Sequence, residues 1–347
     1  MTSRMLAPPE AESYVDGMRP TSGVSFAIMT GILVFVIGCD KSKSAVPATE
    51  VITPAGATAL DLSAKPQLLF QVFGDISDPR VIPVAAVING NIRQIGLTRS
   101  GWHALDSMYF AAGSSYPAYR NDADEGQITI TRGMWNGGDT PLYPLPGCKD
   151  LVPLASATIA LKGKTNEPTV EFIASSAPLV PHPPFTDQLP SDADIAKMGR
   201  SFGHEVGKKA EMDAAELDSL DFSARMIITG ASAAPTLLVS FIDPTAGDLG
   251  PGSGHTSHLF ALADKQPDGS YTPTYRHAVS GNAKTVEFQR LIDHIDVNGD
   301  GVDELMLEAW KYGAPNELVV LSFKAGMWHE SLRVKQSWCL DPVKAKK

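Results

Sequence analysis

From residue 223 onward the chain is a succession of strand candidates. Apolar-rich runs at 224–229, 236–242, 257–263, 272–278, 288–295, 304–310, 317–323 and 328–334 recur roughly every 10–15 residues. Turn signals such as Asp268-Gly269 and Ala325-Gly326 separate them. Eight strands at this spacing predict an antiparallel meander, closing as a propeller or packing as a sandwich.

The first half is also β-rich. Runs at 81–88 and 91–97 flank Asn89-Gly90, a hairpin signal because both residues tolerate positive φ. Further strand candidates lie at 67–73, 116–120, 127–132, 156–162 and 169–174, the middle pair flanking an acidic loop at 121–126. The stretch 101–109 has no decisive period. Pro178-Leu-Val-Pro-His-Pro-Pro-Phe185 is stiff and extended, either a boundary between two halves or a surface loop. A small helical segment follows at 191–220. Ser191 and Asp194 stand in capping-box position, and Ile195, Met198, Phe202 and Val206 recur at helical spacing. Gly199, Gly203 and Gly207 form a stripe on another face, which predicts close packing on a sheet. The expected fold is mainly β. It comprises a β-rich domain at 67–177, a Pro-rich and helical segment at 178–222 and a C-terminal β domain at 223–347.

The most specific chemical motif is Asp296-Val-Asn298-Gly-Asp300-Gly-Val302-Asp303-Glu304-Leu305. Side-chain oxygens at its first, third and fifth positions suit a hard cation, and Gly301 permits the sharp turn. The twelfth position is Leu307, not a bidentate acid, so an EF-hand is excluded. The motif resembles the calcium loops of FG-GAP and related integrin-type β-propeller repeats, in a single copy. That resemblance implies Ca2+ held in a structural role by Asp296, Asn298, Asp300, the Val302 carbonyl and Glu304.

An uncharged apolar run of 13 residues, 26–38, precedes Cys39. It falls short of the roughly 20 residues of a spanning helix but fits an export-signal core. Its end, Val36-Ile37-Gly38-Cys39, resembles the lipobox of bacterial lipoproteins. The resemblance implies a signal peptide over 1–38, lipidation of Cys39, a membrane anchor and a tether over 39–66. Glu10, Glu12 and Asp16 are out of place in a signal leader, so translation is expected to start at Met18. Asp40 resembles the signal that retains enteric lipoproteins in the inner membrane, facing the periplasm; without that retention the address is the outer membrane. Cys148 and Cys339 then remain, as one disulfide of the exported body or as two buried thiols.

A net charge of −10 with no Lys/Arg-rich run argues against nucleic acid as a partner. Catalytic motifs are incomplete. His204-Glu205 and His329-Glu330 lack the second zincin histidine, His255 and His258 lack further ligands, and Ser232 is followed by a strand where a nucleophile elbow needs a helix. Trp310 and Tyr312 are candidates for an aromatic patch. The expectation is a non-enzymatic, calcium-stabilised envelope module that binds a protein or glycan ligand. The alternative is an envelope hydrolase with its site near the proline-rich joint.

Overall fold

Asn89 and Gly90 both adopt positive φ, 49° and 72°, in the turn between β2 (Arg80–Ile88) and β3 (Asn91–Arg93). The structure is a computed structural model that describes residues 60–135, 154–163, 167–183, 185–244, 246, 254–312, 314 and 316–335. The 26–39 run with its lipobox, Cys148 and Cys339 lie outside those residues. Among those residues the fold is mainly β, with three antiparallel sheets and few helices.

Six strands form a barrel-like sheet: β1 (Gln67–Asp75), β7 (Thr169–Ser175), β4 (Ser115–Arg120), β5 (Ala123–Arg132), β6 (Ala155–Leu161) and β2, which pairs back to β1. The ambiguous stretch near 101–109 is a helix, α1 (Arg99–Tyr109). Thr98 caps it, and Trp102, Leu105 and Tyr109, at spacings of three and four, bury one face in the barrel core. Helical spacing is present there, but apolar Ala104 and exposed Met108 lie off the buried face and blur it.

Two four-stranded meanders follow. The first contains β8 (Asp221–Ile227), β9 (Thr236–Ile242), β10 (His255–Lys265) and β11 (Tyr271–Asn282). The second contains β12 (Phe288–Ile295), β13 (Glu304–Trp310), β14 (Glu317–Lys324) and β15 (Met327–Lys335). Each overlaps a strand candidate of the sequence.

Side-chain alternation stacks these parts in layers. Leu305, Leu307, Val319 and Leu321 of the second meander pack against Leu238, Phe260 and Leu262 of the first. The alternate residues Met306, Leu318 and Val320 join the barrel core instead. The first meander is double-faced too. Its Leu237, Val239, Phe241, Leu259 and Ala261 pack against α2 (Asp192–Lys209) and α3 (Ala214–Asp218). Two-sided burial explains why these strands read as continuous apolar runs rather than as alternating ones. At about 1.5–3 kcal/mol per buried aliphatic side chain, each layer contact stabilises substantially.

A bulge sets how the barrel meets the second meander. Leu291 pairs with Leu307 and Asp293 with Met306, leaving Ile292 as the extra residue. Without that insertion Leu291 and Asp293 would share a face. With it, Leu291 faces the first meander while the Asp293 carboxylate turns to the barrel. There it accepts hydrogen bonds from the backbone N–H of Asn121 (2.6 Å) and Ile173 (3.3 Å).

The two meanders share buried polar groups. His258, fully buried on β10, has Nδ1 2.9 Å from the Phe241 carbonyl, while its Nε2 accepts the Gln289 N–H of β12 at 2.9 Å. These partners fix one neutral tautomer, with the proton on Nδ1. Asp264 accepts hydrogen bonds from Thr236 and Thr274 and from the indole N–H of Trp328 (3.0 Å), joining the same sheets.

The glycine stripe lies at the helix–sheet contact. A Cβ on Gly199 would come 2.5 Å from the Ala224 Cβ; on Gly203 it would overlap the Phe241 ring, and on Gly207 the Leu217 side chain. Gly203→Ala is therefore expected to destabilise the fold by about 1–3 kcal/mol despite Ala's better helix propensity, measured by urea denaturation. Burial, reinforced by the neighbouring His277, pushes the His258 pKa down to about 3. The unfolded chain thus takes up this proton more readily than the folded one. The stabilisation from neutral His258 is complete above about pH 6.5 and is lost as pH falls towards 3. The pH slope of wild-type stability in that window should exceed that of His258→Gln by about 1.4 kcal/mol per pH unit. Parallel slopes would contradict the buried-neutral assignment.

Candidate functional site

The predicted metal loop is the turn from β12 into β13. Asp296 accepts the N–H groups of Gly299 (2.7 Å) and Gly301 (2.8 Å). Asn298 Oδ1 accepts the Asp300 N–H, and Asp300 Oδ1 accepts the Val302 N–H. Gly299 and Gly301 have φ of 81° and 86°, which lets the backbone coil around these side chains. Glu304, on the first residue of β13, is almost fully buried, with Oε2 accepting the Val297 N–H and Oε1 the Ser322 hydroxyl.

Asn298 Nδ2 donates to both Glu304 Oε1 (2.5 Å) and Asp300 Oδ2 (3.2 Å), which ties three of the loop's side chains together. The Val302 side chain packs against the core between the meanders. Burial, with Asp300 and Asp296 adding to it, pushes the Glu304 carboxyl up to about 8. Three carboxylates and an amide on one tight turn are the residue types that suit a hard cation.

A second cluster adjoins this loop. Asp303, fully buried, donates its N–H to the Thr229 carbonyl, and its Oδ2 lies 2.6 Å from His294 Nδ1. Its other oxygen, Oδ1, has no hydrogen-bond partner among the described residues and sits 3.0 Å from His182 Nδ1. Asp122, in the β4–β5 turn at φ 57°, places Oδ2 3.1 Å from the same nitrogen and also accepts the His182 backbone N–H. Asp122 Oδ1 is likewise buried and unpartnered. The other ring nitrogen of His182, Nε2, is 3.1 Å from the Gly301 carbonyl oxygen.

Gly230, at φ 74°, closes one side. A Cβ there would overlap the Gly301 carbonyl oxygen and come 2.8 Å from His182 Nε2. Burial and then Asp303 raise the Asp122 pKa. Burial opposes charging of His182, but the Gly301 carbonyl, Asp303 and Asp122 outweigh it and raise that pKa.

The cluster borders a cleft of about 560 Å³. Pro181, His182 and Pro183 form one wall and the β8 residues Arg225, Met226 and Ile227 another, with Asp122 and His294 at the edge. The proline-rich joint thus lines an open space between the barrel and the first meander.

Sequence reasoning singled out the metal loop but missed Asp122, His182, His294 and Asp303. Asp122 and His182 are 60 residues apart, and no local period joins them to Asp303. The available hints were a turn with two left-handed residues, Asn121 and Asp122, and a histidine fixed between prolines.

The incomplete catalytic motifs are occupied otherwise. His204 Nε2 lies 3.0 Å from Asp218, the Ser232 hydroxyl closes a local turn onto the Ala234 carbonyl, and His255 Nε2 lies 2.8 Å from Glu216. Trp310 stacks on Phe288 with ring centroids 5.5 Å apart, and Tyr312 is half-buried. Comparison with protein-family models, curated proteins and solved structures finds no match.

Proposed function

We propose that this chain is a lipid-anchored cell-envelope protein whose β body, braced by Ca2+ in the 296–304 loop, binds a protein or glycan ligand without transforming it. The observation that carries the reading is the loop itself, where Asn298 bridges Asp300 and Glu304 and Asp296 closes on the N–H groups of Gly299 and Gly301. The ligand site is the cleft beside this loop. Its apolar residues, Met226 and Ile227, accompany the guanidinium of Arg225, a pairing that suits a ligand with an acidic group on an otherwise apolar or ring-faced surface. Calcium here is structural: it holds the β12–β13 turn against the cleft.

The anchor rests on the resemblance of Val36-Ile37-Gly38-Cys39 to a lipobox, with Asp40 favouring the inner membrane and its periplasmic face. Pairing of Cys148 with Cys339 belongs to the same exported setting; on the chain-entropy model, closing a loop of about 190 residues would contribute about 5 kcal/mol. One observation favours a second reading, an envelope hydrolase: the carboxylate–histidine cluster of Asp122, His182 and Asp303 opens on the cleft at the proline-rich joint.

Calorimetry on the purified chain is expected to show one bound calcium per molecule and a rise in thermal midpoint, both lost in Asp300→Ala. Absence of calcium binding by the wild type would remove the brace. In a bacterial host, labelled palmitate should enter the wild type and not Cys39→Ser; equal incorporation in both would overturn the anchor.

A further inference from the structure

We propose that Asp122, His182 and Asp303 form a second metal site, one that takes a zinc-type divalent cation and faces the cleft. Whatever occupies the calcium loop, the geometry of this site is set by the ring of His182. Its Nε2 lies 3.1 Å from the Gly301 carbonyl oxygen, a group that only accepts hydrogen bonds, so the ring hydrogen belongs on Nε2. Nδ1 of the neutral ring then carries a lone pair. That lone pair faces two carboxylate oxygens, Asp122 Oδ2 at 3.1 Å and Asp303 Oδ1 at 3.0 Å. Three electron-rich atoms at this separation repel one another unless a positive centre lies among them.

Two positive centres are chemically available, a proton or a metal ion. A proton on Nδ1 bonds well to one carboxylate oxygen, and the bond to Asp122 satisfies that role. It leaves Asp303 Oδ1 without a hydrogen bond on a side chain that is fully buried, an expensive arrangement for a carboxylate. A cation takes all three ligand atoms together. Tetrahedral arms of about 2.0–2.1 Å place ligand atoms about 3.3 Å apart, close to the two nitrogen–oxygen distances here, and all three ligand atoms lie within 4.8 Å of one another. One imidazole with two carboxylates favours zinc or a neighbouring first-row metal over calcium or magnesium, which take oxygen ligands.

The surroundings also fit a built site. Gly301 fixes the His182 ring through its far nitrogen, and His294 Nδ1 holds the far oxygen of Asp303 at 2.6 Å. Such outer partners orient metal ligands and set their tautomers. Gly230 leaves room for the Gly301–His182 contact, which a side chain there would obstruct. Asp122 and His182 line the cleft, so the remaining coordination positions open towards it. Three protein ligands with an open position is the arrangement of zinc sites that also bind an exogenous oxygen.

The test uses the full chain in detergent, stripped with a chelator and returned to excess calcium, so that the loop is filled and failure of either site is read separately. Zinc titration against a chromophoric chelator should give one tight site per chain, and Co2+ should produce visible d–d absorption. His182→Ala should weaken zinc by about 100-fold or more and abolish that absorption while calcium binding persists. No zinc binding by the wild type, or equal affinity in His182→Ala, overturns the proposal. Should that variant fail to fold, 15N-histidine NMR of the wild type decides. Zinc must shift the Nδ1 resonance of His182, and an unshifted imidazolium signal in excess zinc overturns the site.

Discussion

The extra residue in β12, Ile292, governs how this molecule is assembled. By reversing the facing of the strand it sends Leu291 into one hydrophobic layer and the Asp293 carboxylate into the seam with the barrel. A buried carboxylate is costly unless hydrogen-bonded. Asp293 meets that demand with the N–H groups of Asn121, Ile173 and His294, two of which belong to the barrel. Burial still pushes its pKa up to about 6, against the opposing effect of those N–H groups. The seam is therefore specified by a polar group that has few other places to be satisfied, while the surrounding apolar contacts supply non-directional attraction.

The cleft and both candidate metal positions follow from that seam. Fixing Asn121 fixes the β4–β5 turn, and Asp122 is the next residue, its N–H donated to the His294 carbonyl. Asp303 arrives from the other side at the end of the 296–304 loop, just before β13, its N–H held by the Thr229 carbonyl. His182 comes from a proline-stiffened segment that loses little entropy when it is laid between them. Three separate chain segments thus converge without any forming a continuous motif. The same geometry links the 296–304 loop to the cleft, because Gly301 supplies both the loop's turn and the carbonyl that orients His182.

Legibility in the sequence tracked the range of the interactions involved. Asn89-Gly90, the Ser191 cap and the 199–203–207 glycine stripe could be read because each acts through backbone conformation or spacing within one element. The strands of both meanders were legible for a different reason. Two-sided burial demands apolar residues at consecutive positions, so Leu305-Met306-Leu307 and Leu318-Val319-Val320-Leu321 stand out against polar turns. α1 was obscured because apolar Ala104 and exposed Met108 lie off the face that Trp102, Leu105 and Tyr109 bury, which blurs the helical stripe.

The loop 296–304 was read from sequence because its polar side chains and glycines lie within one turn, where spacing is a local property. His258 illustrates the opposite case. Nothing local distinguishes it from exposed His255, yet it is fully buried, with a carbonyl of its own sheet on one ring nitrogen and an N–H of the next on the other. The sequence by itself determined a mainly β chain with a tight glycine-and-carboxylate turn and a helical cover, because periodicity and turn chemistry are properties of neighbouring residues. Only the tertiary structure decided the layer order, the closing of six strands around a core and the meeting of Asp122, His182 and Asp303. Those depend on which buried faces and polar groups find partners far along the chain, and no local pattern encodes such pairings.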